Sequence, residues 1–138
     1  MTRQNTDDLL NVSETLRDIA LYRHVKILLE RQSVETQITS LQAQSTQNVT
    51  AEEGLRMSRL GSDVLWRQWA TLKRTELSKD LALARAREAD SFEQTKTAFA
   101  RGQVLQELAE KARLLKRQAS DRKTQDALQA LSMFWRDR

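Results

Sequence analysis

The chain has few side chains of the kinds that perform catalysis or hold metals. It contains no cysteine and one histidine, His24, which lies between Tyr22 and Lys26 with no serine nucleophile pattern nearby. One imidazole is too few ligands for a zinc or haem site, and nucleophile-and-base catalysis usually depends on a histidine. Glycine-rich phosphate loops and the H-E-x-x-H pattern are also missing from the sequence. We therefore predict a non-enzyme that carries no metal and no cofactor.

Acidic pairs are the remaining candidates for metal ligands. Glu52 and Glu53 are adjacent, and Glu107 and Glu110 lie three residues apart. Such pairs more often support a helix through lysines one turn away, and Glu107 stands four residues before Lys111 in the favourable order. We therefore interpret them as helix-stabilising charges.

The composition is that of a long helix. Alanine, glutamate, lysine, leucine and arginine make up about half of the 138 residues, there is no proline, and glycine occurs three times. Sheet folds need frequent turns, and turns need glycine, proline, asparagine and aspartate. At 39% hydrophobic and 30% charged residues the chain is too polar for a large globular core. We predict one all-α domain over residues 1–138, an elongated antiparallel two-helix coiled coil, or helical hairpin, with a longer C-terminal helix.

Apolar spacing predicts helix 1 over about residues 6–47. Asn5 or Thr6 can cap its start. Four apolar residues follow at the 3-4-3 spacing of a coiled-coil seam: Leu9, Val12, Leu16 and Ile19. Beyond them the apolar spacing mixes 7 and 11 residues, which indicates a nearly straight helix.

A turn region is predicted over about residues 45–61. The polar run 44–50 has the composition of a loop, and Thr50 to Glu53 form a capping box. Ser62 offers a second cap. Helix 2 therefore begins near residue 51 or near residue 62 and continues to about 135. Its core positions recur every seven residues: Leu77, Ala84, Ser91, Ala98, Leu105, Ala112 and Ala119.

The unequal helix lengths have a functional consequence. Folding back over the turn leaves about 35 C-terminal residues without an intrachain partner, and these include several leucines, Phe134 and Trp135. Apolar residues on an unpaired helix need another chain to cover them. Residues 111–123 hold six basic residues and one acidic residue, which suits a solvated helix face, an acidic protein partner, or nucleic acid or anionic lipid.

The tryptophans of helix 2 leave two interpretations open. Trp66 and Trp69, beside Leu65 and Leu72, could form a binding patch. Alternatively, Trp69 packs across the hairpin onto helix 1 while Trp66 is half-exposed.

The chain resembles the FliJ family of flagellar type III export proteins and the YscO-like stalk proteins of virulence secretion systems. The segments that carry the resemblance are Leu-Trp-Arg-Gln-Trp-Ala-Thr-Leu at 65–72, after the turn, and the basic helix 109–128. The layout of a shorter helix, a polar turn and a longer helix matches over nearly the whole chain. The flagellar and virulence branches are not separated by these residues.

The resemblance implies a bacterial, cytoplasmic protein, peripheral at the inner-membrane export apparatus. It implies a stalk that inserts its terminal coiled coil into the hexameric export ATPase and links it to the membrane export gate and to export chaperones. Transferred to this sequence, the ATPase-binding residues are Leu9, Val12, Leu16, Arg113, Lys116, Arg117, Arg122, Leu128, Leu131 and Phe134. The expected contacts for the export gate or chaperones are Ile38, Leu41, Trp69 and Leu72.

Two other functions remain as alternatives. The chain could be a general coiled-coil scaffold that homodimerises through its C-terminal half. Less favoured is a basic helical nucleic-acid binder, because the basic stretch lacks the interleaved aromatic residues that stack on bases. No nucleic-acid partner is therefore expected. We also expect no transmembrane segment, because no apolar run approaches the ~20 residues that a spanning helix needs.

Overall fold

The computed structural model describes residues 3–50 and 61–138, and it contains two long helices. Helix α1 comprises Arg3–Thr50 and helix α2 comprises Ser62–Arg136. No strand occurs among these described residues, and the two helices pack against each other. The predicted all-α helical hairpin with a longer second helix is confirmed. Its physical basis is the absence of proline and the abundance of strong helix formers.

The helix boundaries differ from the expected ones at the turn. The predicted helix 1 ends at about 47, within a turn region expected to begin at about 45, but residues 45–50 are all part of α1. The Thr46 hydroxyl donates a 3.0 Å hydrogen bond to the Gln42 carbonyl oxygen inside the helix. A polar side chain that bonds to its own preceding turn is compatible with helix. Gly61 has φ of 72°, and α2 begins at Ser62, the second of the two expected starts. The capping box at 50–53 and the start near 51 lie outside the described residues.

Contacts divide the chain into two compact units that each contain parts of both helices. We call Asp18–Lys96 the central unit, and Met1–Arg17 together with Thr97–Arg138 the terminal unit. In the central unit the Thr95 hydroxyl lies 2.8 Å from the Ser91 carbonyl oxygen of its own helix and 3.2 Å from the Ala20 carbonyl oxygen of α1, and its proton is shared between them. The contact with Ala20 places the end of this α2 segment against the start of the α1 segment. The helices of this unit are therefore antiparallel.

A thin apolar seam joins the helices in the central unit. Leu41, Ala70 and Leu77 form a buried cluster, against which Ile38 and Trp66 pack. The least exposed residues of α1 follow alternating steps of four and three: Ala20, His24, Ile27, Arg31, Val34, Ile38 and Leu41. This is the heptad pattern of a coiled coil, and it supplies most of the stability because such helices depend on their apolar contacts.

The seam of the terminal unit contains small and polar residues. On α1 its least exposed residues are Thr6, Leu10, Ser13 and Arg17, and on α2 they are Ala98, Gly102, Leu105 and Ala109. The Arg17 guanidinium lies over the Phe99 ring, 5.4 Å from its centroid. This arrangement buries little apolar area, so packing in this unit contributes less stability than in the central unit.

The seam predicted for helix 1 was wrong by one residue. Leu9, Val12, Leu16 and Ile19 are exposed, and the helix-facing positions are one residue further along the chain. The expected mixture of 7- and 11-residue spacing is also not found in α1, whose seam keeps an unbroken heptad. The reason is that threonine, serine, arginine and histidine occupy helix-facing positions, which a search for apolar residues passes over. The expected positions of helix 2 are less exposed from Leu77 to Leu105, whereas Ala112 and Ala119 are exposed.

Replacing Gly102 by alanine should raise the free energy of unfolding by about 1 kcal/mol, because alanine is the better residue inside a helix. The added Cβ would meet Ser13 Oγ at 3.7 Å, which is ordinary van der Waals contact. Chemical denaturation followed by circular dichroism measures the change. Gly61→Ala is the control: its φ of 72° is strained for alanine, so stability should fall by about 1 kcal/mol. A destabilised Gly102→Ala variant would contradict the packing described here.

Candidate partner-binding surfaces

The C-terminal part of α2 is exposed on every side. Each residue from Glu110 to Arg138, a segment that we call the tail, is exposed. The tail belongs to the terminal unit, where the described part of α1 begins at Arg3. It contains eight lysine or arginine residues and four aspartate or glutamate residues. Its exposed apolar residues include Leu114, Leu115, Leu128, Leu131, Met133, Phe134 and Trp135. An apolar and basic helix of this kind has the composition of a binding surface.

The residues expected to bind the ATPase are all exposed and all lie in the terminal unit. Leu9, Val12 and Leu16 form an exposed stripe on α1 next to the seam, and Leu9 also borders the space between the helices. The seven others lie on the tail: Arg113, Lys116, Arg117, Arg122, Leu128, Leu131 and Phe134. The guanidinium of Arg138 lies over the Phe134 ring at 5.2 Å from its centroid. These residues are placed where a partner could contact them.

A groove of about 470 Å³ lies between the two helices of the terminal unit. Its floor is apolar and includes Leu9, Leu10, Leu105 and Leu108. The charged residues that also line it are Arg3, Asp7, Arg113 and Lys116. The groove therefore combines an apolar floor with an excess of positive charge, which suits an acidic, partly apolar partner.

The residues expected to bind the export gate or chaperones fall into two groups. Leu41 is 5% exposed and Ile38 packs beside it, so both contribute to the joint between the helices. Trp69 and Leu72 are 51% and 72% exposed. Together with Leu65, which is also exposed, they form a stripe with the i, i+4, i+7 spacing of one helix face. This stripe is the part of the expected site that a partner can reach.

The expectation that Trp69 packs across the hairpin while Trp66 is half-exposed was wrong, because the two tryptophans have exchanged these positions. Trp66 packs against the buried cluster, and Trp69 carries the larger exposure. A groove of about 350 Å³ beside Trp69 is lined by side chains of both helices, among them Gln37, Leu41, Lys73 and Leu77. The exposed Trp69 ring can therefore contribute to binding, because tryptophan often carries a large share of interface energy.

A histidine–serine pair lies in the central unit, although no serine is near His24 in sequence. The His24 Nδ1 and the Ser91 Oγ are 2.7 Å apart, and the Ser91 Oγ is also 3.0 Å from the Glu88 carbonyl oxygen. The single hydroxyl proton serves one of these two contacts, and the tautomer of the imidazole decides which.

Packing around this pair indicates a structural role. Ser91 and Thr95 are buried, and the Phe92 ring lies 5.9 Å from the His24 ring. Ser91 also sits inside α2, where backbone N–H groups are committed to helix hydrogen bonds and do not form an oxyanion hole. We interpret His24, Ser91 and Thr95 as a polar layer within the seam, in which each buried hydroxyl has a partner.

A cluster of charges joins the helices nearby. Arg31 donates a 2.9 Å hydrogen bond to Glu35 and forms an ion pair with Glu88 across the seam. Arg85 reaches Glu35 from α2 at 3.5 Å. The hydrogen bond to Glu35, together with the charges of both carboxylates, raises the pKa of the Arg31 guanidinium above its usual value. Arg31 is therefore positively charged near neutral pH.

Searches of the described residues for other kinds of site gave no candidate. Residues 3–50 and 61–138 contain no group of three acidic, histidine or cysteine side chains placed to hold a metal ion. In the same residues, neither helix has an apolar stretch of the length needed to cross a bilayer.

Sequence reasoning missed the polar layer and the cross-helix charge cluster. The signal for both was the unbroken 3-4 spacing through Ser13, Arg17, Ala20, His24 and Ile27, which becomes visible only when polar residues are accepted at helix-facing positions. Comparisons with protein-family models, with curated proteins and with solved structures find no match to this chain.

Proposed function

We propose that this chain is a non-enzymatic stalk or adaptor of a type III protein export apparatus. In this function the terminal unit inserts into the hexameric export ATPase, and the protein links the ATPase to the export gate and to export chaperones. The observation that carries the proposal is the tail, a basic helical segment whose apolar residues are exposed on all sides. The resemblance of residues 65–72 and 109–128 to the FliJ and YscO-like proteins supplies the identity of the partner.

The exposure pattern of the tail supports a socket that surrounds the helix. At 100° per residue, Leu114, Leu115 and Leu131 point in clearly different directions around α2. A flat partner would cover one of these faces and leave the others in water. A pore formed by several subunits contacts a helix from all sides, so it can cover all three leucines.

Charge supports the same kind of partner. The excess of arginine and lysine on the tail favours an acidic lining, and it should make binding weaker as the salt concentration rises. The stripe Leu9–Val12–Leu16 adds a second apolar contact on α1 within the same unit.

The exposed stripe of Leu65, Trp69 and Leu72 is the surface that we assign to the gate or chaperones. It lies in the central unit, and its residues make no part of the buried cluster. Ile38 and Leu41 act on this surface indirectly, by holding the two helices together beneath it. In this function the protein acts in the cytoplasm, at the inner-membrane export apparatus.

Replacing Leu131 and Phe134 by alanine should weaken binding to the export ATPase by about tenfold or more, because large apolar side chains at the centre of an interface carry most of its energy. A pull-down and an ATPase-stimulation assay with the purified ATPase measure the effect. Leu83→Ala is the matched control, since Leu83 is exposed to the same degree as Leu131 and Phe134 but lies in the central unit. Unchanged binding and stimulation by the double variant would contradict insertion of the tail.

Light scattering separates this function from the scaffold alternative. A stalk is expected to be monomeric in solution and to associate with the ATPase. A dimer that persists on dilution and dissociates when Leu131 and Phe134 are replaced would favour a scaffold that homodimerises through the tail.

A further inference from the structure

Four basic and four apolar residues of the tail share one face of the helix, whereas Leu114, Leu115 and Met133 lie outside it. At 100° per residue, four basic residues in the first half of the tail lie within about 140° of the helix circumference. They are Arg113, Lys116, Arg117 and Lys123. The same arc of the second half carries Leu128, Leu131, Phe134 and Trp135. We call this arc the tail face.

Acidic residues are almost excluded from the tail face. By the same geometry Asp126 and Asp137 point to the opposite side of the helix, and Glu110 and Asp121 lie at the margins of the arc. The tail face is therefore more strongly basic than the tail as a whole. Positive charge and apolar residues follow one another along it.

The apolar half of the tail face has the features of an interfacial membrane anchor. Residues 127–135 contain no charge and span about 13 Å along the helix, which is much shorter than a bilayer core. Phe134 and Trp135 stand at the end of this stretch, beside Arg136 and Arg138. Aromatic rings next to arginines are typical of the boundary between lipid headgroups and acyl chains.

The pair of Arg138 and Phe134 fits such a boundary. The guanidinium lies over the ring at 5.2 Å from its centroid, and both side chains are exposed. In this arrangement the ring can enter the apolar part of a bilayer while the guanidinium remains at the depth of the phosphates.

We propose that the tail face binds the surface of an anionic lipid bilayer. Arg113, Lys116 and Arg117 contact the headgroup phosphates, and Leu131 and Trp135 enter the boundary of the acyl chains. Charge complementarity selects this occupant: a bilayer offers a wide negative surface that four basic residues over several helical turns can contact at once. It also accommodates apolar side chains without needing a shaped pocket. The bilayer covers only the tail face. Because Arg113, Lys116 and Leu131 would serve both contacts, the tail binds the bilayer or the ATPase at one time, and the bilayer contact does not depend on the ATPase contact.

Sedimentation of the full-length protein with lipid vesicles tests the proposal. Vesicles of phosphatidylcholine and phosphatidylglycerol in equal parts should bind the protein, and vesicles of phosphatidylcholine alone should bind it poorly. Binding should decrease as salt is added. Emission from Trp135 should shift to the blue on binding, and this shift should be lost in Trp135→Phe.

Two variants and two matched controls locate the contact. The triple variant R113Q/K116Q/R117Q should weaken vesicle binding about 100-fold, since each basic residue at an anionic surface contributes about fivefold. R74Q/K79Q/R87Q removes the same charge from exposed positions of the central unit and should change binding little. Leu131→Ser with Trp135→Ser should weaken binding about tenfold or more, and Leu83→Ser, at an exposed position of the central unit, should not. The tail variants should keep the helical signal because all substituted tail residues are exposed, although Arg113 and Lys116 also line the groove beside α1.

Several results would overturn the proposal. No binding of the unaltered protein to anionic vesicles would do so, and if ATPase binding then persisted, the tail would be a protein-binding segment only. Equal loss in the two triple variants would show a general effect of net charge without a tail site. If phosphatidylcholine vesicles bound the protein as well as the anionic vesicles did, the basic residues would not be responsible for membrane binding.

Discussion

Replacing Leu77 by alanine should lower the free energy of unfolding by about 2–3 kcal/mol, the lower part of the range for buried leucines. Leu77 is 4% exposed and packs with Leu41 and Ala70 in the buried cluster of the central unit. The value is not higher because a two-helix seam is open to water along both edges, so neighbouring side chains and solvent partly fill the space. Chemical denaturation followed by circular dichroism at 222 nm measures the loss.

Leu83→Ala provides the matched control for this experiment. It removes the same atoms from the same helix, but Leu83 is exposed, so we expect a change within about 0.5 kcal/mol. Equal effects of the two substitutions would show that Leu77 is not part of a packed seam.

Deleting residues 118–138 should abolish detectable binding to the export ATPase while the midpoint of thermal unfolding changes by no more than about 2 °C. The two outcomes differ because the deleted residues are all exposed. Their removal takes no packing away from α1, but it takes away Arg122, Leu128, Leu131 and Phe134, which we assign to the ATPase contact. Thermal scans and a pull-down with the purified ATPase on the same preparations measure both quantities.

A shorter deletion serves as the control for the loss of binding. Removing residues 136–138 leaves the leucines and Phe134 in place and should leave ATPase binding within a few-fold of the intact chain. A stable protein that still bound the ATPase without residues 118–138 would move the contact away from the tail. A protein that unfolded after this deletion would show that the tail is covered by its own chain.

The hairpin itself could be predicted because its determinants are local. The lack of proline and the density of leucine and alanine make both helices, and the seven-residue recurrence of Leu77, Ala84 and Ser91 correctly identified the seam of α2. The end of α1 was harder to predict. Thr46 suits a loop or a helix, and in the structure its hydroxyl bonds to the Gln42 carbonyl oxygen of the preceding helical turn.

The seam of α1 could not be found from apolar spacing alone. Leu9, Val12, Leu16 and Ile19 satisfy the coiled-coil rule better than Leu10, Ser13, Arg17 and Ala20 do, yet the second set faces α2. The choice depends on what stands opposite. The serine faces Gly102 and the arginine lies over the ring of Phe99, and neither neighbour can be inferred without the pairing of the helices.

The candidate surfaces were predicted to different degrees. The exposure of the tail could be predicted from the helix lengths alone. The longer helix of an antiparallel pair extends beyond the end of the shorter one, however the two pack. Ile38 and Leu41 were predicted to lie on the same binding surface as Trp69 and Leu72. In the structure the first pair helps to hold the helices together, and the second pair is exposed to water. The apolar character of a residue does not distinguish these two roles.

The polar layer restricts how the two helices can be aligned. Sliding α2 by one heptad would bring Ala84 or Ala98 opposite His24 in place of Ser91, and neither has a hydroxyl that can hydrogen-bond to the imidazole. The same shift would separate Thr95 from the carbonyl of Ala20. The aliphatic residues of this interface would bury similar apolar area at many offsets. A few hydrogen-bonded residues therefore fix one offset among them, as a single buried asparagine does in other coiled coils.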